Sequence, residues 1–170
     1  HHNDLPVTLY SDKDLDSVYI DDVITIRSNE YPFFDRINYF RQTPYDKTVY
    51  LDTDTVIVGD ITSMFDMMDR FDIVASINET RDTAVEGHKF NTTDIDVPES
   101  FPEYQCGVIG FCDNPKVMSL FDDWQSRYKQ YRDKYILDQP FFREAIYHGD
   151  IDLGTLPTEY NALINLGGFF

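Results

Sequence analysis

The sequence predicts an α/β layered domain, a mostly parallel sheet flanked by helices. Three observations carry this expectation. Short apolar, β-branched runs alternate along the chain with segments of helical period, the pattern that layered α/β domains require. The 170 residues are enough for one domain with a genuine core, so residues 1–170 are read as a single domain. Hydrophobic residues make up 42% and aromatics 15%, which separates the chain from disordered sequences.

The elements follow in order. Pro6–Asp12 reads as a short buried strand ending in a polar turn, and Val18–Ile26 as a second apolar stretch broken by Asp21 and Asp22. From Pro32, the positions Phe33, Phe34, Ile37, Tyr39 and Phe40 fit an amphipathic helix with Arg36 and Arg41 on its flanks. Val49–Asp54 is a strand, Ile61–Met68 a short helix starting near Thr62, and Asp72–Ile77 another strand. Residues 79–103 are polar and without period, with Pro98 and Pro102 near the end. A loop of that length suits a lid or binding loop, expected to be mobile in the free protein. Gly107–Cys112 returns to a buried strand. Asn114-Pro115 opens a long helix to about Tyr131, with Pro115 in the first turn, where its missing donor does no harm. Leu120, Phe121, Trp124 and Tyr128 form its apolar stripe. A shorter helix over Gln139–Tyr147 follows, with Asp138 at a cap position. Asp152–Leu156 is a last strand and Pro157–Asn161 a turn.

Charge narrows the partners. The net charge is −17, with 24 Asp against 7 Glu. The charge argues against a nucleic-acid backbone or an anionic membrane surface as partner, since both need basic patches. A phosphate ligand would have to arrive with a metal and meet local Arg or Lys. Cys106 and Cys112 flank one apolar run. Six residues apart in a strand they would be about 20 Å from each other, beyond disulfide reach. They read as buried thiols of a reducing compartment, so a cytoplasmic location is expected. No stretch approaches the ~20 apolar residues of a membrane span, and no secretory signal is visible.

The chemistry concentrates in Val49–Val58, an apolar and β-branched run with Asp52 and Asp54 at its centre. An unpaired carboxylate in an apolar setting is costly. Its placement is explained if the strand stops at the sheet edge and both carboxylates face a hard cation there. Side chains at i and i+2 leave a strand on one face. Mg²⁺ or Mn²⁺ with phosphate oxygens is the usual partner of such a pair. The alternative is an Asp-Thr-Asp hairpin turn with both carboxylates solvated. In parallel α/β sheets, ligands bind beyond the carboxyl ends of strands, which is where Asp52, Thr53 and Asp54 would lie.

Four pieces together resemble the GT-A glycosyltransferases, in the branch that holds glycogenin and the bacterial lipopolysaccharide galactosyl- and glucosyltransferases. They are Tyr45–Ile61 (YDKTVYLDTDTVIVGDI), Gln105–Phe111 (QCGVIGF), Asp138-Gln139 and Leu156–Asn161 (LPTEYN). They occur in the family's order and cover about residues 7–165. The resemblance implies a GT-A (Rossmann-like) fold and a nucleotide-sugar donor, a UDP-hexose first. It further implies a Mn²⁺ (or Mg²⁺) cofactor and hexose transfer with retention of configuration. The acceptor, whether sugar, protein or lipid-linked glycan, is not specified. Asp52 and Asp54 would hold the metal, with Thr53 between them at the donor. Arg36 would face the diphosphate, an arrangement its bidentate fork suits. Gln105 stands where the family has Asn, and with Gly107 would line the donor site. Asp138 and Gln139 would meet the transferred sugar as the catalytic pair. The family's first strand would precede Pro6, and its His-Gly metal ligand would follow Phe170, so a longer natural chain is implied. His148-Gly149 has those letters but precedes Leu156-Pro157.

Two other readings fit parts of the sequence. Asp52-Thr53-Asp54-Thr55 also satisfies the first motif of haloacid-dehalogenase-type phosphatases, with Asp52 as nucleophile and Asp54 as acid/base. That family needs a later paired acidic site at a strand end, whereas Asp122-Asp123 falls in a helical pattern. A non-catalytic nucleotide-sugar or carbohydrate-binding domain is the third.

Overall fold

The computed structural model describes residues 5–26, 32–78, 96–133, 135 and 137–162. Strands β1 (Thr8–Ser11) and β2 (Asp22–Thr25) pair in parallel. They lead into α1 (Pro32–Phe40), β3 (Lys47–Leu51), α2 (Ser63–Met67) and β4 (Ile73–Ile77). Then come β5 (Tyr104–Cys112), α3 (Pro115–Tyr131), α4 (Gln139–His148), β6 (Leu153–Leu156) and a 3₁₀ turn at Thr158–Asn161. β1 is half-buried rather than buried, because it belongs to the separate two-stranded sheet and not to the central one.

The central sheet has the order β3-β5-β4-β6. β5 runs antiparallel to both its neighbours, and β4 pairs with β6 in parallel. The expectation of a mostly parallel sheet is met in part: β3, β4 and β6 run the same way, and β5 alone is reversed, which makes the sheet mixed. The reason lies in the register: Ile77 at the end of β4 is opposite Tyr104 at the start of β5, so the chain must run back. The carboxyl ends of β3, β4 and β6 and the amino end of β5 consequently share one edge.

Helices cover both faces. On one, α1, α3 and α4 press Ile37, Phe40, Leu120, Phe121, Trp124, Tyr128, Phe141 and Phe142 onto Ile73, Ala75, Ile109 and Phe111. Each large side chain so buried stabilises the fold by about 1.5–3 kcal/mol. The stripe expected of α3 is thus the stripe that is buried. On the other face, Met64 and Met68, in and just after α2, pack with Val74, Val108 and Leu156. Gly110 lies under them because a Cβ there would come 2.5 Å from Val74 Cγ2. Asn114 caps α3 through its side-chain oxygen, which accepts from the Val117 N–H at 3.0 Å, while its amide donates to Asp72 at 2.8 Å.

Tyr104 and Cys106 face the same core as Ile109 and Phe111. Simple alternation forbids that change of parity. The β4–β5 register shift between Ala75 and Ile77 accommodates it, and such irregularities re-aim side chains near functional sites. Of the loop expected over 79–103, residues 79–95 lie outside the described residues. Residues 96–103 are anchored: the Arg143 guanidinium donates to the Pro98 carbonyl at 2.6 Å and, through Nη2, to that of Phe101 at 2.7 Å.

Candidate active site

The site forms at the shared sheet edge. Asp52 lies one residue past β3, and its N–H donates to the Gly107 carbonyl at 2.8 Å. Its own carbonyl accepts from the Thr55 N–H at 3.0 Å, closing a turn. The strand therefore ends at Leu51, and alternation along a strand does not place Asp52 and Asp54 together. A turn carries the chain between them. Thr53 and Asp54 are exposed. Val56 and Val58 are 74% and 88% exposed, so the second half of the apolar run is surface loop and not strand.

Arg36 gathers the site. From α1 its Nε and Nη2 fork onto both oxygens of Asp138, at 3.0 and 2.5 Å. Its Nη1 reaches Asp52 Oδ1 at 3.3 Å and the Cys106 carbonyl at 3.5 Å. The guanidinium packs against the Phe33 and Trp124 rings. Burial works against the Arg36 charge, but Asp138 and then Asp52 outweigh it and hold it as a cation above its usual range. The Tyr50 hydroxyl donates to Asp52. Burial and the Asp52 charge push that hydroxyl well above its ordinary value, so it keeps its proton. Burial, with the nearby Asp138 charge, likewise raises the Cys106 thiol, which stays neutral. Cys106 and Cys112 are both free, and Cys112 is only partly buried.

Asp138 occupies the cap position of α4 but makes no side-chain capping bond. Its carboxylate, 1% exposed, is committed to Arg36, and the Trp124 indole N–H donates to its carbonyl at 2.9 Å. The plain helix-cap reading of Asp138 is thereby set aside. Gln139 follows on the first turn: its Oε1 accepts from the Cys106 N–H at 3.2 Å and its Nε2 donates to Glu103 at 2.8 Å. Gln105 is buried at the start of β5. Gly107 is where side chains converge, since a Cβ there would lie 3.2 Å from Asp52 Oδ2 and 3.4 Å from Asn161 Nδ2.

The structure thus brings Arg36, Asp52, Gly107, Asp138 and Gln139 to one junction, with Thr53 and Asp54 on the adjoining turn. Sequence reasoning missed Tyr50, Glu103 and the Trp124 indole as partners of these residues. Tyr50 carried a signal, two residues before Asp52 on the strand; Glu103 carried none, standing at the end of a polar stretch.

Asp52 and Asp54 are hard oxygen donors, the type of which Mg²⁺ and Mn²⁺ take one or two, and the Asp52 carboxylate is also held by Arg36 and Tyr50. Among the described residues no group of three or more His, Cys, Asp or Glu could hold a metal. His148 sits at the far end of α4, a helix of 10 residues and so about 15 Å long. Its ring bonds to the Asp96 carbonyl. The groove between the start of α3 and the end of α4, near Lys116, Asp123 and Asp150, lies at that far end too.

The architecture is that of a GT-A glycosyltransferase-like fold, a mixed sheet flanked by helices. A solved structure that it resembles is the galactosyltransferase LgtC, crystallised with donor and acceptor sugar analogues. Identity is 17% and the TM-score 0.53, with 74% of this chain and 44% of that chain covered. The likeness is one of fold, and the chain spans less than half of LgtC's length. No protein-family model and no curated protein matches the sequence. Among the described residues no helix is long and apolar enough to cross a membrane.

Proposed function

We propose that this chain is the donor-binding part of a metal-dependent hexosyltransferase. It would move a hexose from a nucleotide-diphosphate sugar, a UDP-hexose first, to a sugar, protein or lipid-linked acceptor, with retention. The observation that carries this reading is the Arg36 guanidinium joining Asp52 to Asp138, a residue 102 positions from Arg36 in sequence, at the edge of a GT-A-like sheet. Breaking a sugar–diphosphate bond builds negative charge on the leaving group, and catalysis consists largely of meeting that charge. Asp52 and Asp54 would hold Mn²⁺ or Mg²⁺, which when bound supplies positive charge beside the diphosphate. Arg36 adds a fixed cation, held rigid by Asp138 and its ring neighbours. Tyr50 orients the Asp52 carboxylate, and the bare Gly107 backbone leaves room beside it. Asp138 and Gln139 would meet the transferred sugar, and Gln105 would line the donor site.

The phosphatase alternative loses support, because Asp122 and Asp123 lie inside α3, with Asp123 paired to Arg127 at 2.7 Å. Calorimetric titration of Mn²⁺ with UDP into wild type and Asp54→Asn tests the metal assignment. The variant should lose affinity by at least about tenfold, the loss of one of two carboxylate ligands; equal affinities would sink it. Hydrolysis of a UDP-hexose should stop with a chelator. Phosphate release from simple esters without sugar-nucleotide binding would favour the phosphatase, and donor binding without turnover the non-catalytic domain.

A further inference from the structure

We propose that Glu103 is a positioning residue that sets the orientation of the Gln139 side chain; its catalytic consequence rests on the transferase reading above. Glu103 is 2% exposed, a carboxylate buried immediately before β5. It joins three elements. Its carbonyl accepts from the Asn78 N–H at 2.8 Å, past the end of β4. Its Oε1 accepts from Asn78 Nδ2 at 3.3 Å and from Gln139 Nε2, on the first turn of α4, at 2.8 Å.

The chemistry of the two neighbours determines the amide. An ionised carboxylate only accepts, and a backbone N–H only donates. With Glu103 on one side and the Cys106 N–H on the other, Gln139 must point Nε2 at Glu103 and Oε1 at Cys106. Rotating the amide by half a turn would set oxygen against oxygen and N–H against N–H, losing two hydrogen bonds at once. An amide between ambivalent neighbours carries no such constraint. Glu103, acting with the Cys106 N–H, therefore fixes which end of Gln139 each neighbour, and a sugar hydroxyl beside it, meets. It also clamps the start of β5 to α4, so the geometry of Gln105–Gly107 relative to Asp138 depends on the same carboxylate.

Glu103→Gln replaces the one-sided acceptor with a group of equal size that donates or accepts. The probe is the Gln139 side-chain NH₂ pair in an amide NMR spectrum, assigned by its absence in Gln139→Ala. The expected result is that Glu103→Gln moves that pair toward solvent-like positions and speeds its exchange. Glu103→Asp, which withdraws the charge by one methylene, should do the same and serves if the first variant fails to fold. In UDP-hexose hydrolysis, Glu103→Gln should lower kcat about tenfold, the scale of one charge-assisted hydrogen bond. The donor KM should stay within about twofold, and the kcat loss should disappear in the Gln139→Ala background. Unmoved Gln139 signals in both variants would overturn the assignment. So would a lowered melting temperature with kcat unchanged, which marks a purely structural clamp. The NMR measurement needs no turnover: a wild type that hydrolyses no nucleotide sugar would refute the transferase reading while the spectrum still decides the role of Glu103.

Discussion

Arg36→Met tests whether the Arg36–Asp138 pair is as buried as its geometry requires. The substitution keeps length and apolar contact with Phe33 and Trp124 but removes the fork that lies 3.0 and 2.5 Å from the Asp138 oxygens. Asp138 is 1% exposed, so water does not replace the guanidinium. The Trp124 N–H is spent on the Asp138 carbonyl and offers the carboxylate nothing. Removing one member of a buried pair costs about 3–5 kcal/mol. In a domain of this length each kcal/mol is worth about 2–4 °C, so the melting temperature should fall on the order of 10 °C. Burial already pushes the Asp138 carboxyl up, with Arg36 pulling it back. Without Arg36 the folded carboxyl binds its proton more tightly than the unfolded one. The penalty should therefore shrink as pH falls from neutral toward about 5. The double variant Arg36→Met/Asp138→Leu removes both charges and should return to within about 1–2 kcal/mol of wild type. Urea unfolding followed by circular dichroism reads all three proteins. A single-variant cost below about 1 kcal/mol, the range of solvated pairs, would refute the reasoning. A stable double variant that still binds no UDP with Mn²⁺ would separate the role of the pair in the site from its role in the fold.

Three further outcomes follow from the packing. Gly110→Ala forces a methyl against Val74 and should cost about 1–3 kcal/mol in thermal unfolding, the range of overpacked cores; a neutral result would mean that Val74 yields freely. Asn114→Ala removes the α3 cap and the tie to Asp72, and should cost about 0.5–2 kcal/mol by chemical denaturation. Gly107→Ala places a Cβ 3.2 Å from Asp52 Oδ2. It should weaken UDP–Mn²⁺ binding in calorimetry more than it lowers the melting temperature, and unchanged binding would show that Asp52 moves aside without loss.

The sequence by itself determined what depends on near neighbours. The α3 stripe at Leu120, Phe121, Trp124 and Tyr128 follows from helical period, and the Asn114-Pro115 start from capping chemistry, because both act within a turn or two. The strands β3 to β5 follow from β-branched runs, although β3, expected to run to Asp54, ends at Leu51. Tertiary structure alone decided what depends on partners distant in the chain. β5 runs antiparallel because Tyr104 at its start pairs with Ile77 at the end of β4, and no local signal encodes the direction of a return. Asp138 has the letters and place of a helix cap, yet its carboxylate serves Arg36, since a buried cation 102 residues away outweighs a single backbone N–H. Glu103 sits in a polar stretch that reads as solvated, but Asn78 and Gln139 bury it. Val56–Val58 has the composition of a strand and lies exposed, because a strand needs a neighbour to pair with and the turn at Asp52–Thr55 leads the chain away from β5.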